Sequence, residues 1–396
     1  MAEPILRFPL RGPDPLEPAP ELARLRTECP AARIELPSGH QAWLVTRYAD
    51  ARAALADPRL SKAATTVEGA PRILPVAANS KSIFSMDPPE HTRVRRLVTP
   101  AFGARRIAAM RKGVEELTDS LLDELEATGQ PGDLVAGLAL PLPIRVICEL
   151  LGVPYEDTEK FRGWTDVMLS ITAHAPADVL AARRNLNAYL SELIVARREQ
   201  PADDLLTVLI RAAEDDDRLS HEELLAFGHT LLVAGYHATA GELIHALLHL
   251  MSRPDQLAVL RDDPALIEPA VEELLRFSTA GSGASALRVA TEDVELAGVT
   301  VRAGEAVLAS AQSANRDEEV FACPEQLDVT RQHNPHLAFG HGVHHCIGAQ
   351  LGRMELAVAI TRLLARFPDV HLDPHAELRW IGGMAFSRPA ALPVRW

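Results

Sequence analysis

The segment that decides the fold lies in the last sixth of the chain and runs Phe339-Gly340-His341-Gly342-Val343-His344-His345-Cys346-Ile347-Gly348. Its glycines allow unusual backbone angles and let the chain approach a flat ligand closely. Apolar residues continue at helical spacing after the cysteine, so we expect a helix that begins at Cys346 and ends at Phe367-Pro368. A helix N-terminus carries partial positive charge and free N–H groups. Both favour a thiolate, which is the form in which cysteine binds a metal.

Three interpretations of this cysteine are open from the segment alone. Cys346 could be a buried structural cysteine, or it could share a zinc ion with His341, His344 and His345. Zinc normally takes ligands that point inward from two chain segments, whereas these histidines are adjacent in one loop and no second cysteine is near. The third interpretation is a thiolate ligand to haem iron, which the glycine-rich loop and the cysteine together favour.

Composition and charge limit the class of protein. The chain has 396 residues and a formal net charge of -14, with 40 Lys and Arg against 54 Asp and Glu. That balance argues against a nucleic-acid partner. The four cysteines are widely spaced and form no CxxC pair, so neither a disulfide framework nor a zinc ribbon is indicated. The sequence has no signal-peptide pattern and no apolar run of membrane length, and we expect a soluble, cytoplasmic protein without a membrane partner.

The hydropathy pattern predicts a mainly α-helical chain with small β-sheets. A β-hairpin is expected between residues 33 and 47, and further strands between 286 and 309. Ser220 and Glu223 form a capping-box pattern that opens a long apolar helix running to Ser252. Segment 61–86 lacks periodicity and should be a long loop. Other helices are predicted near 49–56, as a pair within 91–130, and near 143–152, 155–172, 176–199, 202–213 and 266–277. We expect a single domain over residues 1–396, in which residues 1–30 form an extended segment and the first helix.

The cysteine segment resembles the haem-binding signature of the cytochrome P450 family. The residues that match it in type and spacing are Phe339, Gly340, Gly342, His344, Cys346 and Gly348. A minor departure is Gly352 before Arg353, where the family usually has alanine. The resemblance implies the cytochrome P450 fold, a triangular helical prism around a haem. It also implies haem b held by the Cys346 thiolate and an enzyme that activates dioxygen.

A second match is a Glu-x-x-Arg motif. Glu273 and Arg276 lie three residues apart, which places them on one face of a helix. Such pairs decorate many solvated helices, but this one stands where the family has its own pair. The resemblance implies a buried structural pair with Arg331 as the stand-in for a third, basic member. These three residues are expected to hold the fold rather than to catalyse.

A third match concerns the haem propionates. His91 and Arg95 are four residues apart and share a helix face, which alone would also suit a solvent-exposed basic turn. In soluble bacterial P450s the residues resembling these two contact the propionates, as do an arginine matching Arg288 and a histidine matching His344. Cationic donors suit two carboxylates. The resemblance therefore implies that these four residues bind the cofactor.

The long apolar helix carries the fourth match and the main departure. Segment 231–235 matches the part of the family pattern that crosses above the haem, where the small Ala234 and Gly235 leave room for dioxygen. The family then has an acid followed by a threonine, a pair linked to proton delivery. This chain has His237 and Ala238 at those positions, followed by Thr239.

Several interpretations of this departure are open. His237 could relay protons, since its unperturbed pKa of about 6.5 lets it titrate near neutrality. Thr239 could supply the hydroxyl, although its side chain should point about 100° away on the helix. The substrate could supply the ordering groups, or the reaction could need less proton relay, as oxidative coupling of aromatic rings would. His237 could also merely pack or contact substrate.

The resemblance further implies an external electron donor and an apolar pocket. Nothing resembles a flavin or nicotinamide module, so electrons should come from a ferredoxin- or flavodoxin-type protein with its reductase. Basic residues could give this donor a docking patch or be ordinary solvated charges, namely Arg96, Arg105, Arg106 and Arg353. The pocket should be lined by loop 61–86, residues 165–180, Val233 with Ala234 and His237, residues 279–287, and Met384 to Phe386.

We therefore expect a P450 that oxidises a small, partly hydrophobic natural-product intermediate, most simply by hydroxylation. One alternative is oxidative C–C or aryl coupling of an aromatic secondary metabolite without oxygen insertion, which only the His237-Ala238 departure favours. Another is a haem-binding protein without catalysis.

Overall fold

The computed structural model describes residues 5–214 and 219–396. Helices dominate this part of the chain, in agreement with the predicted fold class. They are α1 Pro20–Glu28, α2 Tyr48–Ala56, α3 Glu90–Val98, α4 Ala104–Thr128, α5 Pro141–Leu151, α6 Thr158–Met168, α7 Pro176–Glu199, α8 Leu205–Glu214, α9 His221–Met251, α10 Pro254–Asp262, α11 Ile267–Phe277, α12 Ala311–Ala314 and α13 Ala349–Arg366.

The strands are short and form small sheets. They are β1 Leu6–Arg7, β2 Ala31–Glu35, β3 Gln41–Val45, β4 Leu60–Ser61, β5 Gly132–Asp133, β6 Leu287–Ala290, β7 Val294–Leu296, β8 Val299–Val301, β9 Ala306–Ala309, β10 His371–Leu372, β11 Trp380–Ile381, β12 Arg388–Pro389 and β13 Pro393–Arg395. The largest sheet has the order β1-β2-β3-β9-β6-β4. Within it, β2 and β3 form the predicted antiparallel hairpin, with Ile34 opposite Ala42.

Helix α9 is the central element of the core. Its start is the predicted capping box, in which the Glu223 N–H donates to Ser220 Oγ over 3.2 Å and the Ser220 N–H donates to Glu223 Oε2 over 2.8 Å. Most of its side chains are buried among α5, α7, α11 and α13. By length and composition α9 is the helix of the described residues that could cross a membrane. However, 67% of its apolar window is buried inside the protein, as in a core helix.

Loop 61–86 is largely irregular, as predicted, and is tied down at several points. Its start forms β4 and one 3₁₀ turn at Ala63–Thr65. Farther along, the Ser82 and Thr230 hydroxyls lie 2.8 Å apart, and Arg183 of α7 donates to the Ala77 carbonyl over 3.0 Å. The loop therefore lies against α9 and α7.

Two predicted helix boundaries are wrong. Helix α13 begins at Ala349 rather than at Cys346, because the chain first forms a 3₁₀ turn at Gly342–His344 and Gly348 then caps the helix. Helix α6 ends at Met168 rather than near 172. There the Ile171 N–H leaves helical pairing and donates to the Gly383 carbonyl over 2.7 Å.

Candidate active site

Two left-handed glycines shape the loop that presents Cys346. Gly340 and Gly342 both have a φ of +71°, a conformation that L side chains rarely adopt. A Cβ at Gly342 would also lie 2.9 Å from the carbonyl oxygen of Leu55 in α2. The Cys346 N–H donates to the Phe339 carbonyl over 2.9 Å and closes the loop. The glycine spacing in the sequence therefore reflects both backbone angle and close contact with α2.

The surroundings of Cys346 shift the pKa of its thiol in opposite directions. The side chain is open to solvent, yet it lies among protein atoms that partly desolvate it, and this raises the pKa of the thiol. The backbone N–H of Gly348 and the charges of Arg95 and Arg353 lower the pKa. The donor is thus the cap residue of α13, since the helix itself starts three residues after the cysteine. These three groups would stabilise a thiolate that binds a metal cation.

Arg353 is held beside the cysteine loop by contacts with Phe339 and Glu272. Its guanidinium lies 4.4 Å from the Phe339 ring centre, and its Nε and an Nη donate to Glu272 over 2.5 and 2.9 Å. His336 lies 3.1 Å from the same carboxylate. Burial alone would raise the pKa of Glu272, but His336 and Arg353 lower it to about 2. Arg353 is therefore already paired within the chain.

The predicted propionate ligands come together as one cation cluster, which we define as Lys62, His91, Arg95, Arg288 and His344. The His91 and His344 rings lie 4.4 Å apart, and Arg95 donates to the carbonyl of His345 over 2.6 Å. Burial and then Arg288, His91, Lys62 and Arg95 lower the pKa of His344 to about 3. The charge of Asp87 opposes the shifts of Lys62, His91 and Arg288 but is outweighed, so the cluster carries an excess of positive charge.

Lys62 is a member of this cluster that sequence reasoning missed. It is buried, and Nζ donates to the carbonyls of Ser285 and Leu287 over 2.9 and 3.3 Å. Burial, followed by repulsion from Arg288, lowers the pKa of Lys62 to about 7. Lys62 lies in the aperiodic loop, and only the pairing of β4 with β6 places it beside Arg288. No sequence signal marked it.

The cluster fits an acidic cofactor. Among the described residues the carboxylate next to it is Asp87, which already accepts from the Ser61 hydroxyl and from the Lys62 N–H over 2.9 Å. Nε2 of the buried His91 has no hydrogen-bond partner. A group carrying two carboxylates would supply both the missing charge and the missing acceptor. The residues present therefore fit a haem whose propionates face this cluster and whose iron faces Cys346.

Glu273, Arg276 and Arg331 lie together, as the resemblance implied. Nε and an Nη of Arg276 donate to the two Glu273 oxygens over 2.7 and 2.8 Å, and both side chains are fully buried. Arg331 Nε donates to Glu273 Oε2 over 3.0 Å, and Asn334, which sequence reasoning missed, adds a bond of 3.0 Å. Arg276 also donates to the carbonyl of Asn315. This network joins α11 to the segment that leads into the cysteine loop.

His237 points away from the other α9 residues that were predicted to be catalytic. It is buried against α6, where Nε2 lies 3.0 Å from Thr165 Oγ1 and 3.3 Å from Asp166 Oδ1. Burial and the charge of Arg388 lower the pKa of His237 to about 3 in spite of this carboxylate. Burial likewise raises the pKa of Asp166. His237 is therefore neutral at ordinary pH and links α9 to α6.

The open face of α9, defined as Ala234, Ala238 and Glu242, is partly exposed, whereas most residues of this helix are buried. These residues recur at i, i+4 and i+8 and therefore form one stripe. Gly235, which sequence reasoning assigned to this face, is also partly exposed. A Cβ there would lie 2.9 Å from Ile147 Cδ1, so the glycine is needed where α9 packs closely against α5. Val233 and Thr239 are also partly exposed, and Glu242 was not anticipated.

The predicted pocket segments meet next to α9. Ser170 forms a β-bridge with Met384, and Gly281 forms one with Phe386. A Cβ at Gly241 would lie 3.6 Å from the Cβ of Phe386, which places this ring against α9. A separate cavity of about 140 Å³ lies between the N-terminal segment, residues 279–283 and the 380–387 hairpin, and Cys346 and α9 are not among its lining residues. Residues 279–283 and Met384 thus border this cavity, while Ala280 and Phe386 also approach α9 at Gly241.

The basic residues suggested for partner docking differ in their availability. Arg96 and Arg105 are exposed, whereas Arg106 lies 3.8 Å from Asp203 and Arg353 is bonded to Glu272. A docking patch would therefore depend mainly on the first two residues.

Comparisons with known proteins agree with this geometry. The family model described as Cytochrome P450 matches residues 30–381. The chain is 51% identical over 391 residues to nocardicin C N-oxygenase of Nocardia uniformis subsp. tsuyamanensis, covering 98% of each protein. It is 45% identical over 390 residues to mycinamicin IV hydroxylase/epoxidase of Micromonospora griseorubida, again covering 98% of each. The solved structure of cytochrome P450mel 107F1 with biaryl coupling reactivity superposes with a TM-score of 0.92 at 40% identity, covering 96% of this chain and 97% of that one.

The fold and the site thus define a haem-thiolate class of enzyme. The chain belongs to the cytochrome P450 family and is an enzyme of that family. The haem-thiolate cofactor follows from the family, and the relatives are bacterial monooxygenases and hydroxylases of natural-product biosynthesis.

Proposed function

We propose that this enzyme is a monooxygenase that inserts oxygen into a small, partly hydrophobic natural-product intermediate, most simply by hydroxylation. The observation that carries the proposal is the Cys346 loop with the cation cluster beside it, which together match the iron and the propionates of haem b. The relatives support oxygen insertion, since one is named for N-oxygenation and another for hydroxylation and epoxidation.

Haem supplies the chemistry of dioxygen activation when it is bound. The chain's own residues would do the rest. Cys346 would hold the iron as a thiolate that Gly348, Arg95 and Arg353 stabilise, while the cation cluster would neutralise the propionates. The open face of α9 would line the oxygen-binding side, and the small side chains of Ala234 and Ala238 would leave space there.

The substrate would occupy the space that the converging pocket segments border. Val233, Ala234 and Phe386 are the residues that we assign to its lining. Phe386 offers an apolar ring held against α9 through Gly241, and the bridges at Ser170 and Gly281 fix the hairpin that carries it. Apolar linings with few polar groups suit partly hydrophobic ligands.

For His237 the contacts favour a positioning role. Its Nε2 already faces Thr165 and Asp166, and burial lowers its pKa to about 3, so the imidazolium form that would act as an acid is disfavoured near neutrality. We propose that His237 links α9 to α6 through this contact. The contact would keep the helix that borders the pocket in a fixed position.

A second candidate function is oxidative coupling of aromatic rings without oxygen insertion. It is favoured by Ala238, which cannot donate a hydrogen bond, and by the structural likeness to a P450 with biaryl coupling reactivity. Product analysis after incubation with labelled dioxygen would separate the two candidates. Incorporation of the label into product supports insertion, and its absence from a coupled product supports coupling.

We further propose that electrons come from a separate ferredoxin- or flavodoxin-type protein and its reductase, and that the enzyme works in the cytoplasm. The exposed Arg96 and Arg105, on α3 and α4, would contribute to docking an acidic donor. Replacing both with glutamine should lower the rate of reduction by the donor, with a steeper loss at low ionic strength.

A reduced-CO difference spectrum tests the haem-thiolate assignment. Well-folded, haem-loaded protein should give the red-shifted Soret band typical of a thiolate ligand. If loaded protein lacks that band, or if Cys346→Ala leaves it intact, the assignment of Cys346 is wrong. Turnover with a surrogate ferredoxin and reductase then distinguishes an enzyme that oxidises substrates from a protein that only binds haem.

A further inference from the structure

The cavity of about 140 Å³ beneath the N-terminal segment lies outside the proposed haem site. We name it the strap cavity, because residues 9–14 line it as a strap that is held at both ends. Before the strap, the Phe8 N–H donates to the Glu35 carbonyl over 2.9 Å. After the strap, Thr279 Oγ1 donates to the Pro15 carbonyl over 2.9 Å. The N-terminal segment is therefore tied down on both sides of this space.

The size and the lining of the strap cavity suit one apolar ring. Its apolar walls come from the strap, α1, the largest sheet and the 380–387 hairpin, and they include Leu10, Leu22, Leu44, Leu308, Ile381 and Met384. An engineered cavity of about 150 Å³ with an apolar lining binds benzene in another protein. The strap cavity has nearly the same volume, which is enough for a single six-membered ring.

The polar groups of the lining offer little to a charged ligand. Gln312 Nε2 donates to the carbonyls of Thr279 and Gly281 over 3.1 and 2.8 Å, so all three groups are already engaged. The Ser282 hydroxyl has no partner, but it is shielded from contact with solvent-sized molecules. Arg11 is exposed on the strap, where water solvates its charge. The surface that remains for an occupant is mainly apolar and suits a neutral ring.

One wall of the strap cavity also borders the proposed substrate pocket. In this wall, the Ser282 N–H donates to the Ala385 carbonyl over 2.9 Å. The Ser387 N–H donates to the Ala280 carbonyl over 2.8 Å, which completes a short antiparallel ladder. Ala385 and Ser387 line the cavity, whereas Phe386 between them does not and lies against α9, because successive residues of a strand face opposite sides. A single backbone layer therefore separates the cavity from the side on which Phe386 lies.

We propose that the strap cavity binds one neutral apolar ring of about the size of toluene, and that this occupant tightens the binding of a ligand in the substrate pocket. The effector role rests on the proposed function, because it requires Phe386 to line that pocket. A ring in the cavity adds contacts behind the ladder and restrains it. A pocket ligand that packs on Phe386 then has fewer groups to order, so it binds more tightly. Linkage makes the effect reciprocal between the two sites.

Binding in the strap cavity can be followed at Trp380, which is one of its lining residues. Haem-loaded protein is labelled with 5-fluorotryptophan, and Trp380→Phe identifies the resonance of this residue. Toluene is the probe, and 4-phenylimidazole, which binds haem iron, is present at saturation to occupy the substrate pocket. The Trp380 resonance should shift on titration. The resonance of Trp396, which packs on Phe367 outside the cavity, should not shift. An unmoved Trp380 resonance would overturn the site.

Two variants fill the cavity from different elements. Ala385→Leu adds a side chain from the ladder, and Ala311→Leu adds one from the partly exposed start of α12. Each should weaken toluene binding by about tenfold or more, because the added atoms occupy the space of the ring. Ala188→Leu makes the same chemical change at an exposed position of α7 and should keep the wild-type affinity. Unchanged toluene affinity in a cavity-filling variant that folds and holds haem would also overturn the site.

The effector role is measured through the affinity of 4-phenylimidazole, which the Soret shift of its complex reports. Toluene should tighten this affinity about fivefold in the wild type and should not do so in Ala385→Leu or Ala311→Leu. Competition between the two molecules for the pocket would weaken the affinity instead. Weakening or no change in the wild type would therefore overturn the effector role, as would a tightening that persists in the cavity-filling variants.

These outcomes separate the inference from the proposed function. A missing thiolate-type Soret band in the reduced CO complex of the wild type would defeat the proposed function and, with it, the effector role. Titration of Trp380 with toluene would still decide whether the strap cavity is a binding site. If the Soret band is present and toluene does not act at Trp380, the inference alone is overturned.

Discussion

The cysteine loop and the open face of α9 border the same proposed haem site, but they arrange their polar groups in opposite ways. On the cysteine side, positive charge exceeds that of the adjoining Asp87, and the neighbouring Arg353 is fixed by Glu272. On the α9 side, the small side chains of Ala234 and Ala238 are partly exposed, while His237 is turned away and bonded to Thr165. The first arrangement suits holding a dianionic cofactor. The second leaves space for oxygen and substrate.

This difference teaches which parts of the site tolerate change. Residues that must fit a fixed cofactor are constrained by its shape and charge. Residues that face oxygen and substrate need only supply space and a proton, which more than one position on a helix can provide. Variants on the two sides should therefore fail in different ways, by losing the cofactor or the fold on one side and by losing coupling on the other.

The largest expected effect is at Cys346. Cys346→Ser should abolish the thiolate-type Soret band of the reduced CO complex and all monooxygenase turnover, because a hydroxyl does not replace the thiolate as a strong donor. Cys29→Ser is the matched control, since Cys29 is also exposed but lies at the end of α1. Far-UV circular dichroism should show both variants folded. Retention of the band in Cys346→Ser would move the iron ligand elsewhere.

The next largest effect should come from the Glu273 network. Glu273→Ala leaves the buried Arg276 charge without its partner and should lower the free energy of unfolding by about 3–5 kcal/mol. Glu268→Ala, an exposed acid in the first turn of the same helix, should change it by less than about 0.5 kcal/mol. Urea denaturation followed by circular dichroism measures both. Equal effects would show that the buried pair is not a stabilising element of this fold.

Much of the cysteine side could be predicted from the sequence because its signals are local. The two glycines, Cys346 and the Glu273-Arg276 spacing are each readable within a few residues. The predicted start of α13 was wrong because Cys346 lies between the 3₁₀ turn at Gly342–His344 and the cap residue Gly348, and a periodicity pattern does not specify either. Lys62 was missed because only β4–β6 pairing brings it to Arg288.

The α9 side was less predictable for a physical reason. The register of His237 and Ala238 can be read from the motif, but the direction that each faces depends on how α9 is rotated against α5 and α6. In the fold α9 packs closely against α5 at Gly235, where a Cβ would lie 2.9 Å from Ile147, and His237 faces Thr165 of α6. Glu242 lay beyond the motif, so only the pattern of exposure along the folded helix revealed it.

A smaller effect should distinguish the two loop glycines. Gly342→Ala combines a positive φ with a Cβ 2.9 Å from the Leu55 carbonyl. It should therefore destabilise the protein by about 2–4 kcal/mol and speed the loss of haem. Gly340→Ala has the same φ, but the nearest atom to its Cβ is 3.8 Å away, so it should cost about 1–2 kcal/mol. Thermal melts and the rate of haem transfer to apomyoglobin test the order. A reversed order would show that contact with α2 does not set the shape of the loop.

The smallest effect concerns His237 and the pH dependence of stability. Burial lowers its folded pKa to about 3, below the value of about 6.5 expected when unfolded, so the unfolded chain binds the extra proton first as pH falls. The stability associated with neutral His237 is therefore complete above about pH 6.5 and declines between there and about pH 3. At pH 5 the loss should be about 2 kcal/mol, and His237→Gln should remove that part of the acid sensitivity while keeping a side chain able to bond Thr165. The exposed His333→Gln serves as the control and should keep the wild-type pH dependence. If His237→Gln also keeps the wild-type pH dependence, His237 is not held neutral against α6. That result would favour a proton relay through His237 over a role in linking α9 to α6.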